Sequence, residues 1–196
     1  SSCVFLWDCG ALAPDGGGAP AFAGALGQNE SATALSWNAH MPATLAVGTG
    51  HMRGQLRVYD IRLAGDDGRS PAGAVAEPIG REGSRAALSV LAHAQTVRGV
   101  ATEPHEGRLL ATWSDGAGDE IKIWDLRRLD PGAPKPVLTI RPSLLRAAPV
   151  SAKPVASCAW SPAVMGSLAT ALVGDSAIIL WDTRTGHSKP LESPVR

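Results

Sequence analysis

The chain has 196 residues, and its 18 basic and 18 acidic side chains leave it without formal net charge. A neutral chain has no general electrostatic attraction to polyanions, so nucleic acid is not an expected partner. The sequence contains no run of the roughly 18–20 apolar residues that a membrane span needs, and its length fits about one domain with its own core.

Four segments of the chain end in an aromatic residue followed by Asp. This repeat is the main evidence in the sequence for the fold class. The endings are Trp7-Asp8, Tyr59-Asp60, Trp124-Asp125 and Trp181-Asp182. The last three segments also carry a Leu-Ala pair and a further apolar run upstream, separated by turns rich in Gly, Asp and Pro. A four-stranded unit that ends in Trp-Asp is typical of a propeller blade. We interpret the four aromatic–Asp pairs as structural repeat positions.

The repeat predicts an all-β fold, namely a WD-repeat β-propeller of about three blades plus one strand of another. The insert at 63–85 is rich in Gly, Ala and Pro, and it is expected to be flexible because it has little to pack. The predicted organisation in chain order is the last strand of a preceding blade (1–10), a linker with a candidate outer strand (11–31), three strands of a blade (32–62), the flexible insert (63–85), an outer strand and the next blade (86–141), a linker (142–154) and a further blade (155–196).

About three blades do not make a closed propeller, because propellers typically have four to eight. An open arc leaves apolar blade faces in water, where they favour association. We therefore expect the remaining blades to come from more chain or from a partner. Residues 1–196 alone are expected to associate, and not to behave as a closed monomer.

Strong WD repeats hold their blades with a buried network of His, a hydroxyl residue, Asp and Trp. In the 86–141 unit, the sequence offers His93, Ser114 and Asp115 to join Trp124. In the last unit, Asp175 lies six residues before the Trp, a suitable position for a turn Asp, but no His precedes it. We expect structural roles for these residues and no chemistry.

An Arg follows three of the aromatic–Asp pairs at the same spacing, as Arg62, Arg127 and Arg184. This pattern resembles the Trp-Asp-x-Arg box of WD receptors in cullin-type ubiquitin ligases, in which the Arg helps to dock the adaptor. The alternative is a local ion pair at a strand end, worth about 0–1 kcal/mol when exposed. These three residues are therefore candidate partner contacts.

The sequence contains only weak matches to catalytic, phosphate-binding and metal-binding motifs. The glycines of 48–54 lack the following helix that a phosphate-binding loop needs, and Gly174-Asp175-Ser176 lies between strands, where a nucleophile elbow does not form. Cys3, Cys9 and Cys158 are odd in number and without framework spacing, so they are expected to be reduced thiols. Cysteines and histidines are too scattered for a zinc module. No catalytic, cofactor-binding or metal-binding residue is predicted.

Beyond the WD pattern, the chain resembles the mio (missing oocyte) family of nutrient-signalling subunits. The stretches that carry this resemblance are Val97-Arg98-Gly99-Val100, Ile123-Trp124-Asp125-Leu126-Arg127, Lys135-Pro136-Val137-Leu138-Thr139 and Ser167-Leu168-Ala169-Thr170. The 63–85 insert departs from the family. The family's zinc module has no counterpart here, so zinc binding is not carried over.

The resemblance implies a non-enzymatic interaction scaffold, a WD-repeat subunit of a GATOR-type complex that relays amino-acid sufficiency to target-of-rapamycin signalling. Its implied partners are other WD-repeat or coat-type propeller subunits. Its implied location is cytoplasmic, at the lysosomal or vacuolar membrane surface, with membrane association only through the complex. The alternative function is a substrate receptor for a cullin-type ligase. A propeller enzyme would need converging catalytic groups, which the sequence does not offer.

Overall fold

The computed structural model describes most of the strands and the turns that join them. The described residues are 2–9, 21–28, 30–50, 53–61, 86–114, 116, 120–129, 134–145 and 153–191. Arg62, Asp115, the 63–85 insert and most of the 142–154 linker lie outside this part of the chain.

The described strands form three four-stranded antiparallel sheets and one two-stranded sheet. The half-blade contains β1 (Ser2–Asp8) and β2 (Ala21–Gln28). Blade 1 contains β3 (Ser31–Trp37), β4 (Thr44–Gly50), β5 (Gly54–Asp60) and β6 (Leu88–His93). Blade 2 contains β7 (Val97–Thr102), β8 (Leu109–Ser114), β9 (Ile121–Asp125) and β10 (Leu138–Ile140). Blade 3 contains β11 (Val155–Trp160), β12 (Ser167–Leu172), β13 (Ile178–Asp182) and β14 (His187–Leu191).

Within each blade the strands follow chain order across the sheet, as consecutive antiparallel hairpins do. The predicted all-β class is confirmed by this arrangement. Trp124 and Trp181 lie on the third strands of their blades, each directly opposite the Leu of a Leu-Ala pair, Leu110 and Leu168. A short 3-10 helix, Pro142–Leu145, follows β10. Among the described residues, no helix has the length and apolar character to cross a membrane.

Both faces of blade 2 are packed against a neighbouring blade, because side chains alternate across a strand. The half-blade covers one face of blade 1 in part, and Leu35 and Trp37 on that face are about half exposed. Three apolar clusters occupy the junctions. The half-blade meets blade 1 through Val4, Leu26, Leu45, Val47 and Tyr59. Blade 1 meets blade 2 through Ala46, Leu56, Val90, Ala92, Val97, Val100, Leu110 and Trp124. Blade 2 meets blade 3 through a larger set that includes Ala111, Trp113, Ile121, Ile123, Val155, Cys158, Trp160, Leu168 and Trp181.

The inner strands of neighbouring blades approach closely. A Cβ added at Gly48 would lie 2.5 Å from Cγ1 of Val97 and 3.0 Å from Cγ2 of Val100 on the next blade. The hydroxyl of Thr33 also donates to the carbonyl of Val97 at 2.6 Å. At Gly48 a larger side chain would therefore clash with the first strand of the next blade.

Candidate functional site

The aromatic repeat positions of blades 2 and 3 share one geometry. Trp124 and Trp181 are buried, and each indole N–H donates to a threonine hydroxyl on the second strand of the same blade. The bond from Trp124 Nε1 to Thr112 Oγ1 is 2.9 Å long. The bond from Trp181 Nε1 to Thr170 Oγ1 is 3.0 Å long. Because a buried polar group is costly without a partner, this bond lets the large indole occupy the junction between blades.

In blade 2 the network extends to His93, whose Nε2 lies 2.9 Å from Thr112 Oγ1. Burial, and then the charge of Lys122, lower the pKa of His93 to about 4. The imidazole is therefore neutral at pH 7. Since the hydroxyl of Thr112 accepts from the indole of Trp124, its own proton is available for the ring nitrogen. The Lys122 ammonium donates to the carbonyl of Ala92 at 2.7 Å.

The sequence predicted Ser114 as the hydroxyl residue of this network, and that prediction was wrong. Thr112, and not Ser114, connects His93 to Trp124. Antiparallel pairing places Leu110 opposite the Trp, so the side chain two residues along the same face is that of Thr112. Asp115 lies outside the described residues. A signal was present, because Thr follows the Leu-Ala pair in both blades 2 and 3.

The earlier repeat positions differ from this geometry. Tyr59 is buried in blade 1 and packs against the half-blade. Trp7 on β1 is exposed, as is Asp8 beside it, while Asp60 is half-buried. The structure thus places Tyr59 at a junction between blades, as it does the tryptophans of blades 2 and 3.

The Asp of the repeat orders the turn that carries the Arg. Asp125 Oδ1 accepts from the backbone N–H of Arg127 at 3.0 Å, and Asp182 Oδ1 accepts from that of Arg184 at 2.9 Å. This backbone bond is the first cause of the lowered pKa of Asp182. The two guanidinium groups remain accessible, since the side chains of Arg127 and Arg184 are 66% and 61% exposed. Arg62 lies outside the described residues.

Asp175 lies in the turn between the second and third strands of blade 3. Its Oδ1 accepts from the backbone N–H of Ala177 at 3.2 Å, and its Oδ2 lies 3.8 Å from Lys153 Nζ. The surrounding Gly174-Asp175-Ser176 segment joins two strands. The geometry is that of an ordered turn.

A second set of repeated contacts joins the turns between first and second strands. Each turn begins with a polar side chain that accepts from two following backbone N–H groups; these are Asn38, Glu103 and Ser161. Two imidazoles then bridge adjacent blades. His40 Nε2 donates to the carbonyl of Pro104 at 2.6 Å, and His105 Nε2 donates to the carbonyl of Ser161 at 3.1 Å. The sequence predicted turns at these places but not these contacts.

The turns at one end of the strands are together called the turn face. They are the first-to-second-strand turns at 38–43, 103–108 and 161–166, with the described residues of two third-to-fourth-strand turns, 126–129, 134–137 and 183–186. Backbone bonds connect the two kinds of turn, with Leu126 N to Arg108 O at 2.8 Å and Thr183 N to Gly166 O at 2.9 Å. The exposed Arg side chains lie on this face. It presents ordered turns and charges, which suit the binding of another macromolecule.

One concave site of about 270 Å³ lies beside the turn face on blade 3. Its lining is mainly apolar with a charged rim, and includes Val164, Met165, Leu180, Trp181, Arg184 and His187. Within the described part of the chain, no group of three or more His, Cys, Asp or Glu side chains could hold a metal ion. The mainly apolar lining of the concave site suits an apolar contact.

The outer face of blade 3 is apolar and open. Ile178 and Val173 are exposed, and Leu180 is half-buried. By strand register, Ile178 and Leu180 correspond to Ile121 and Ile123 of blade 2, which are buried at the next junction. The same repeat position is thus core in one blade and surface in the next.

Comparison with known proteins agrees with the repeat pattern. No protein-family model matches the chain. The chain is 30% identical over 157 residues to the GATOR2 complex protein MIOS of Dictyostelium discoideum, which covers 80% of this chain and 11% of that protein. It is 28% identical over 160 residues to MIOS of Danio rerio, with 80% and 14% covered. For MIOS-A of Xenopus laevis the identity is 28% over 158 residues, with 80% and 13% covered.

The chain thus spans between 11% and 14% of the length of these curated relatives. The resemblance to the mio family that the sequence indicated is confirmed by these matches. Among solved structures, a WD40 propeller chain in the crystal structure of the mitotic checkpoint complex superposes with a TM-score of 0.63, over 98% of this chain and 45% of that chain. At 20% identity this likeness shows the fold alone. The predicted partial WD-repeat β-propeller is confirmed.

Proposed function

The chain belongs to the WD-repeat β-propeller family, and on that premise we propose that it works as a non-enzymatic protein-interaction scaffold. The observation that carries the proposal is the sequence similarity to MIOS proteins over 80% of the chain. The geometry supports it, because packed blades hold the turn face as a rigid platform of ordered turns. Rigid scaffolds that present loops are typical of binding proteins.

The more specific proposal is a subunit of a GATOR2-type complex that relays amino-acid sufficiency to target-of-rapamycin signalling. The relatives are named as proteins of the GATOR2 complex, which supports this assignment. The proposed partners are other WD-repeat or coat-type propeller subunits. The proposed location is cytoplasmic, at the lysosomal or vacuolar surface through the complex.

For individual residues we propose two kinds of role. The aromatic and Asp repeat positions hold the blades together, a role supported by the buried indole–hydroxyl bonds. Arg127 and Arg184 are the proposed partner contacts on the turn face. Their backbone N–H groups are bound by the preceding Asp while the guanidinium groups stay accessible. Each guanidinium also pairs with that Asp through Nε, at 3.7 Å for Arg127 and 3.3 Å for Arg184, and its remaining N–H groups face solvent as donors for a carboxylate on a partner.

The test is affinity purification of the tagged chain from cells, followed by identification of bound proteins. Recovery of coat-type propeller subunits supports the complex, and recovery of a ligase adaptor supports the cullin alternative. The Arg127→Ala, Arg184→Ala double variant should weaken capture through the turn face. Arg53→Ala is the matched control, because this exposed Arg precedes β5 at the opposite end of the strands. Capture of neither class by a folded chain would contradict the proposal.

A further inference from the structure

The concave site on blade 3 lies between two turns that are bonded to each other. Thr183 donates to the carbonyl of Gly166 twice, from its backbone N–H at 2.9 Å and from its hydroxyl at 2.8 Å. Ser161 Oγ accepts from the backbone N–H of Val164 at 3.0 Å and orders the first of these turns. The walls of the site are therefore in place before anything binds, which lowers the entropic cost of binding.

The room in this site depends on a small residue that the repeat does not require. Ser167 lines the site. In blade 2 the matching residue is Leu109, since Ser167 and Leu109 each pair with the Asp that ends the repeat of their own blade. Leu109 packs against the junction between blades 2 and 3. The serine therefore leaves space that a leucine takes up in blade 2, and the cavity is a property of the blade 3 sequence.

The lining of the site is apolar and partly open to solvent. Val164 and Met165 are 55% and 41% exposed, and Leu180 and Trp181 complete the apolar lining. An apolar side chain that enters the site removes this surface from water, which favours binding. The volume of about 270 Å³ lies just below the roughly 300–1,000 Å³ of small-molecule sites, so it suits a single side chain.

Arg184 lies at the rim of the site in a fixed position. Its aliphatic stem crosses Gly166, where an added Cβ would lie 3.1 Å from Arg184 Cγ. Gly166 has a φ of 74°, in the left-handed region that favours glycine. Arg184 Nε lies 3.3 Å from Asp182 Oδ1, so the two terminal nitrogens of the guanidinium face solvent as donors. A carboxylate can accept from both of them at once.

The exposed charge of the described third-to-fourth-strand turns is positive. The side chains of Arg127, Arg128 and Arg184 are 66%, 79% and 61% exposed. Their acidic partners lie deeper, with the side chains of Asp125 and Asp182 12% and 37% exposed. Each ion pair thus turns its positive end to the solvent, which favours an acidic partner.

We infer that the concave site on blade 3 binds one branched apolar side chain from an acidic peptide segment of a partner protein. The apolar side chain packs against Met165 and Leu180, and a carboxylate beside it in the segment pairs with Arg184. A partner without acidic groups would cover the guanidinium and offer its terminal N–H groups no acceptor, which is costly. The inference rests on the proposed scaffold role, because it names the kind of partner that the turn face binds.

The probe is a capped heptapeptide, Gly-Ser-Asp-Leu-Asp-Ser-Gly, added to the whole chain labelled with ¹³C at the methionine methyl groups. Three methionine signals are followed by NMR, and Met165→Leu and Met41→Leu assign two of them. Met41 is the internal control, because it lies on the matching turn of blade 1 and is 40% exposed against 41% for Met165. The Met165 signal should shift with half-saturation below about 10 mM peptide, while the Met41 signal stays in place. No shift at Met165 would overturn the inference.

Two altered peptides separate the apolar contact from the charge. Ser in place of Leu should weaken binding by about tenfold or more, because the apolar burial is lost. Asn in place of both Asp residues should weaken binding by about three- to tenfold at low salt and by less at high salt, because the rim is exposed. If either altered peptide binds as well as the parent, the inference is overturned, since charge alone or apolar contact alone would then explain the binding.

Two variants of the chain test the site itself. Ser167→Leu fills the cavity with the residue type of blade 2 and should weaken binding of the parent peptide by about tenfold or more, and Arg184→Gln should weaken it by about threefold. Arg53→Gln is the matched control, since Arg53 lies at the opposite end of the strands, and it should leave the half-saturation unchanged. An unchanged Met41 signal shows that a variant is folded. Full binding by folded Ser167→Leu would place the peptide elsewhere and overturn the inference; if this variant does not fold, Arg184→Gln and the altered peptides decide.

Failure of this inference can be told apart from failure of the scaffold role. A chain that captures propeller subunits from cells but does not bind the peptide keeps the scaffold role and overturns the assignment of the concave site. A chain that binds the peptide with the expected dependence on Leu, Asp and Arg184, but captures no partner, supports the site and contradicts the scaffold role.

Discussion

Replacement of Trp181 tests the claim that indoles hold the blade junctions. The side chain is 5% exposed, packs between blades 2 and 3, and donates to Thr170 Oγ1 at 3.0 Å. Trp181→Ala removes the buried ring and leaves a cavity, which should lower the free energy of unfolding by about 3–5 kcal/mol. Trp181→Phe keeps most of the apolar volume but leaves the threonine hydroxyl without its donor, and should cost about 1–3 kcal/mol.

The assay is urea unfolding followed by far-UV circular dichroism, since tryptophan fluorescence changes with the substitution itself. Trp37→Ala is the matched control, because Trp37 ends the first strand of its blade and is 51% exposed. With about half the ring already in water, its removal should cost about 1–2 kcal/mol. Equal losses for Trp181→Ala and Trp37→Ala would refute the reasoning. A cost for Trp181→Phe equal to that of the alanine variant would show that the ring itself contributes little.

Three further outcomes are expected. Arg184→Ala should leave the urea midpoint nearly unchanged, because its exposed ion pair with Asp182, with Nε 3.3 Å from Oδ1, adds little. Burial and Lys122 lower the pKa of His93 to about 4, from 6.5 when unfolded. The contribution of His93 to stability is therefore complete above pH 6.5 and falls between pH 6.5 and 4 by at most about 3 kcal/mol. A pH series of urea midpoints should show this slope, and His93→Gln should flatten it. Burial raises the pKa of the Cys158 thiol, so peptide mapping after brief alkylation should find label at exposed Cys9 and none at Cys158, and equal labelling would contradict the fold.

The blade architecture could be predicted because recurring residues mark the boundaries of each repeat. An aromatic–Asp ending and a Leu-Ala pair recur at nearly constant separation, and that separation places Trp124 opposite Leu110 and Trp181 opposite Leu168. Period-two burial then assigns one face of each strand to each neighbouring blade. The fold is thus encoded in residues that repeat in type as well as in position.

The hydrogen-bonded network was harder to predict from the sequence, because different residue types occupy the same structural position there. The turns begin with Asn38, Glu103 and Ser161, three residue types with one geometric role. A carboxylate, an amide and a hydroxyl can all accept from a turn N–H, so no single letter marks the position. Register across strands, which selects Thr112 over Ser114, is likewise a property of the sheet.

Exposure at the junctions is the property that sequence could least predict, because it depends on polypeptide beyond the local strand. Trp37 and Trp160 hold equivalent positions, yet one is half in water and the other donates its N–H to a neighbouring first strand. The burial of Trp160 and its bond to Ala101 join blade 3 to blade 2. The junctions between the described blades are thus stabilised by apolar burial together with a hydrogen-bonded indole. A substitution at Trp37 should therefore cost less stability than one at Trp181, whose ring is buried between blades 2 and 3.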